Sequence, residues 1–170
     1  MSILSDLRKR VQSVQDGMQS GEIVRLSLLP RRDDILELQR IQLLQGLTSS
    51  GDEIRPYYSE DLKPGGYFYS VESAKRYADW KQTLSYPYSV ERANADAPNL
   101  YINGKFHSEL DVEFGSEAVS VVGGTGYAQE IIAKYGLRTF GLMGENWNVI
   151  FTERGAYDDM MREIESILYV

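Results

Sequence analysis

The chain has 170 residues, 42% hydrophobic and 25% charged, which suits one compact domain with a core of its own. It has no cysteine and a single histidine, His107, which excludes disulfides, thiolate metal sites and thiol catalysis and removes most Ser/His and multi-histidine chemistry. The formal charge of −7 is confined to the last third: residues 1–106 carry 14 basic and 14 acidic side chains, residues 107–170 carry 4 and 11, and such a balance does not favour wrapping nucleic acid.

No apolar run reaches the roughly 20 residues of a membrane-spanning helix. The opening Met1-Ser2-Ile3-Leu4-Ser5-Asp6 lacks the layout of a signal peptide. Leu4, Leu7, Val11, Val14 and Met18 then recur at helical spacing, so residues 2–19 are predicted to form an amphipathic helix stopped by Gly21. That helix packs on its own domain or docks a second subunit, as an extension. A short apolar stretch, Ile23 to Leu29, closes at Pro30. Asp33 or Asp34 is expected to cap a second helix with Ile35, Leu38, Ile41 and Leu44 on one face, ending at Gly46. Thr48 to Asp52 reads as a turn.

Residues 56–98 are rich in tyrosine and proline and read as an ordered insertion or arm. Tyr57, Tyr58, Tyr67, Tyr69, Tyr77, Tyr86 and Tyr88 all fall here, in a chain of 12 tyrosines. One helix interrupts the segment, with Ser70 as its cap and Ala74, Tyr77, Trp80 and Leu84 on one face. These rings suit either a subunit interface or a lid on a small core.

Asn103-Gly104 is a strong hairpin signal, and residues 105–114 alternate polar and apolar. Residues 99–123 are therefore predicted to form a three-stranded antiparallel meander, with Gly115-Ser116 as its second turn. His107, Glu109, Asp111 and Glu113 would lie on the wet face. Gly123-Gly124-Thr125-Gly126 reads as a sharp strand-to-helix turn, since no lysine follows in a phosphate-loop pattern. A helix from Tyr127 to Tyr135 stops at Gly136. A last helical region, 144–168, is broken near Gly155, and its acidic residues Glu145, Glu153, Asp158, Asp159, Glu163 and Glu165 read as a solvated face. The expected class is α+β, a single domain over 1–170 with N-terminal, central and C-terminal helices against the meander. No catalytic, cofactor-binding or metal-ligating set is expected.

The order of segments resembles the virion-morphogenesis or tail-completion proteins of tailed bacteriophages. The likeness rests on Gln42-Leu43-Leu44-Gln45-Gly46 and Tyr57-Tyr58-Ser59, and on Asn103-Gly104-Lys105-Phe106 followed by Leu110 and Val112. It continues with Tyr127-Ala128 through Tyr135-Gly136 and with Phe140-Gly141-Leu142, covering about 35–168 and most closely 99–168. The resemblance implies a non-enzymatic neck or head-tail joining subunit, located in the virion and in the host cytoplasm during assembly. It implies a homo-oligomeric ring beside other neck, tail or portal-proximal proteins, with DNA only passing through the lumen. Leu4, Leu7, Val11, Tyr57, Tyr58, Tyr67, Tyr69 and Trp80 are the candidate subunit-contact residues. A non-catalytic protein-binding module acting through the tyrosine segment is the alternative.

Overall fold

In the computed structural model the described residues are 3–115, 118–124 and 126–169. They form helices and one two-stranded antiparallel sheet, an α+β fold. Two compact units emerge, each assembled from separate stretches of chain. The first comprises residues 1–35, 112–120 and 145–170; the second comprises 36–111 and 121–144.

The first unit is built on α1 (Ile3–Gln19), α2 (Glu22–Leu28), α7 (Gly144–Thr152) and α8 (Ala156–Leu168). Gly21, at φ 73°, supplies the left-handed residue that ends α1 and redirects the chain into α2. The stretch around Ile23 is thus a helix of its own; it buries Ile23, Ser27 and Leu28. α1, α2 and α8 pack on one another. α1 buries no residue fully, and most of its apolar stripe faces solvent. Gly155, at φ 79°, separates α7 from α8 as expected. The acidic face of α8 is not wholly solvated. Asp159 accepts from Arg31 at 2.6 Å with both side chains largely covered, and also pairs with Arg162.

The second unit contains α4 (Val71–Gln82), α5 (Lys105–Ser108) and α6 (Ala128–Tyr135). The boundary between the units falls within α3 (Arg32–Gln45) and within both strands, β1 (Asp111–Phe114) and β2 (Val119–Val122). Along α3 the buried positions in this unit are Leu36, Gln39, Gln42, Leu43 and Leu44, whereas Leu38 and Ile41 are only partly covered. The expected apolar face is therefore rotated to admit two glutamines. Their amides replace missing strand partners for the backbone of 139–143. Gln42 donates to Gly141 O at 2.9 Å and accepts from Met143 N at 2.9 Å, and Gln39 donates to Thr139 O at 3.3 Å.

The three-stranded meander is corrected to two strands. Asn103-Gly104 does not turn a hairpin; Gly104 (φ 80°) is the N-cap of α5, and Asn103 Oδ1 accepts from Lys105 N at 3.1 Å. The run 105–110 has period two but no β-branched residue, and Phe106 is its one strong strand former. Alternation survives in β1, where Val112 is buried between exposed Asp111 and Glu113. Of the second turn, Ser116 lies outside the described residues. Of the glycine turn, Thr125 does too. Gly123 is required there by close approach, since a Cβ would sit 2.8 Å from that of Ala128.

Candidate functional site

The most developed concavity in the second unit is walled by elements whose positions are set by short local signals. α4 is started by a reciprocal cap: Ser70 and Ser73 each bond the other's backbone N–H, at 3.2 and 3.1 Å. From that start Ala74, Ala78 and Lys81 fall on the inward face. This differs from the expected face of Ala74, Tyr77, Trp80 and Leu84: Trp80 is exposed and Lys81 takes the core position. Tyr58 and Phe68, from the irregular segment before α4, pack edge-on at 6.0 Å. Tyr58 meets Tyr77 at 5.1 Å. Together with Ala74 and Ala78 they make a small aromatic core.

On the other side α5 brings in Phe106, and α6 brings in Ile131 and Tyr135. α6 is fixed by an ion pair between Lys134 and the buried Asp61 carboxylate. Pro98, Leu100 and Ile102 complete the wall, with Tyr127 and Lys105 also lining it. Leu100 holds φ 53°, a left-handed conformation that costs a branched side chain about 1 kcal/mol. The cavity, open on one side to solvent, has a volume of about 350 Å³.

Lys81 is only 1% exposed and lines this cavity. Among the described residues its Nζ has no hydrogen-bond or ion-pair partner, and it lies 6.0 Å from the centroid of the Tyr77 ring. Burial, reinforced by the positive charge of Arg92, lowers its pKa to about 7. The neighbouring phenols are driven the other way. Burial raises Tyr135 to about 12 and holds Tyr58 well above the ordinary tyrosine value, so both remain hydroxyl donors. None of the described lining residues is acidic.

His107 was expected on a wet strand face; it lies on α5 and is 3% exposed. Burial lowers its pKa to about 4, so the ring is neutral near pH 7. Its Nε2–H donates to Asn99 O at 3.3 Å, its Nδ1 has no hydrogen-bond partner among the described residues, and Tyr101 packs edge-on at 5.3 Å. Among the described residues no group of three or more His, Asp or Glu is close enough to hold a metal ion, and no helix is long and apolar enough to cross a membrane.

The tyrosine segment divides between lid and surface. Tyr58 is a core residue at 6% exposure, so it offers nothing to a second subunit. Tyr57 is half-buried, its hydroxyl bonded to Glu53 and its ring under the Arg55 guanidinium at 4.0 Å. Tyr67 and Tyr69 are 70% and 82% exposed, with Lys63 Nζ 3.8 Å over the Tyr69 ring. Trp80 is exposed on α4 against Tyr77. Leu4, Leu7 and Val11 are exposed on α1, in the first unit.

The pocket itself was not foreseen. Its signal was the spacing Ala74, Ala78, Lys81, one helical face on which a lysine stands in an apolar place. Comparison with protein-family models, curated proteins and solved structures finds no match to this chain.

Proposed function

We propose that this chain is a structural subunit of a tailed-phage virion, of the tail-completion or neck type, that assembles as a homo-oligomeric ring. The observation that carries the reading is the apolar stripe of α1: Ile3, Leu4, Leu7, Val11 and Met18 all face solvent. Five large apolar side chains on one exposed helix face make a contiguous patch that favours association. A ring needs two different complementary patches on each subunit. Exposed Tyr67, Tyr69 and Trp80 supply a second patch of rigid, amphipathic contact area. The net charge of −7 is consistent with DNA passing a lumen without adhering.

Light scattering on the size-exclusion peak, negative-stain imaging and mass spectrometry of purified virions test the reading. Rings, together with the chain in washed particles, are the expected result. A strict monomer absent from particles overturns it. A protein-binding accessory role through exposed Tyr67 and Tyr69 is the second reading, and it gives a monomer that captures another protein through those rings.

A further inference from the structure

The cavity of the second unit has features that a packed core does not need. At about 350 Å³ it lies at the small end of the range of about 300–1,000 Å³ typical of ligand pockets. Its wall is largely aromatic and aliphatic, yet it includes Lys81, a residue 1% exposed whose Nζ has no described acceptor and retains only a sliver of solvent contact. Buried polar groups are nearly always paired, and a buried ammonium without a counter-ion is costly. A second amine, Lys105, lines the same cavity with its Nζ 5.5 Å from the Tyr127 ring centroid. With no acidic residue among the described lining, the field inside is positive. Leu100 keeps a strained backbone in the wall, and such strain concentrates where a binding surface is being held in shape.

A ligand that answers all of these features has a flat ring for the tyrosines and one negative charge for the amine. We propose that this cavity binds a small planar aromatic carboxylic acid, its ring against Tyr58, Tyr77 and Tyr135 and its carboxylate on Lys81. A monoanionic carboxylate matches the single buried amine, Lys81, since the second amine, Lys105, belongs to an exposed residue at the rim. The phenols remain protonated and so add no negative charge to the wall. The proposal stands on the second unit alone and does not require ring assembly.

Calorimetric titration of the full chain with 2-naphthoate, and in parallel with the neutral isostere 2-naphthamide, tests it. One saturable site for 2-naphthoate is expected. Lys81→Met should weaken that site on the order of tenfold or more while leaving the amide within about twofold. Should Lys81→Met not fold, the wild-type protein decides. Reductive methylation read by peptide mass spectrometry should modify Lys81, and 2-naphthoate should protect it while exposed Lys75 stays reactive. Equal binding of acid and amide overturns the proposal. So does no saturation at millimolar ligand, unchanged affinity in the variant, or no protection of Lys81.

Discussion

Two buried basic groups in the second unit give the molecule opposite responses to pH from those of surface residues. Lys81 ordinarily titrates at 10.5 and is held at about 7, so between those values the unfolded chain binds a proton that the folded chain does not. Its contribution to stability therefore falls as pH drops from about 10.5 to about 7, and changes little below. The total is on the order of a few kcal/mol. Lys81→Met keeps the length of the side chain and removes this cost, so its melting temperature should exceed that of wild type at pH 7 and the two should converge towards pH 10. A variant less stable at every pH would show the amine is satisfied in the fold. His107 behaves in the same sense at lower pH: stability is lost as pH falls from 6.5 towards about 4. As the sole histidine it gives a single pair of imidazole C–H resonances, expected to titrate with a midpoint below 5 by proton NMR. A midpoint near 6.5 would place the ring in water. The helical spacing of Ala74, Ala78 and Lys81 was the one sequence signal for the first environment; the second had none, because the Asn99 and Tyr101 contacts of His107 follow from the turn into α5 and not from a strand.

At the scale of elements, the sequence announced its helices wherever a cap or a glycine marked an end. Ser70 before α4, Gly21 after α1, Gly136 after α6 and Gly155 between α7 and α8 each act as expected, because the physics of a cap or a left-handed residue is local. Ser70→Ala removes one half of the reciprocal cap and should cost about 1 kcal/mol, read from the urea midpoint at unchanged slope. What failed was a local signal with two meanings. Asn-Gly offers a side-chain acceptor and a left-handed backbone, and both a hairpin turn and the entry to a helix use them. In this chain the six residues after it include Lys, Glu and Leu, which favour helix, and alternation alone misled. Gly104→Ala adds a Cβ that would sit 3.3 Å from the Tyr101 ring at φ 80°. It should destabilise by roughly 1 kcal/mol, with Tyr101 and His107 the first signals to shift by NMR.

For the whole molecule, the α+β class followed from the mixture of periods. The division into two units was not legible, since it is made by stretches far apart in the chain. Assembly is the property to test at this scale. Leu7→Asp changes an exposed residue of α1, so the melting temperature should stay put while any oligomer dissociates on the size-exclusion column. Trp80→Ala and Tyr67→Ala should likewise weaken assembly with the monomer still folded. Loss of the monomer fold in these variants would assign the residues to packing instead.

The interleaving of the two units also sets a timetable for synthesis. The last residue of the second unit is Gly144, so that unit has all its chain before α8 is made. The first unit cannot close until residues 145–170 have emerged, because α1 and α2 pack on α8. Domains that fold during translation usually consolidate in the order in which they leave the ribosome. Here the order is reversed: α1 and α2 are translated before the second unit yet wait for α8, which is translated after it.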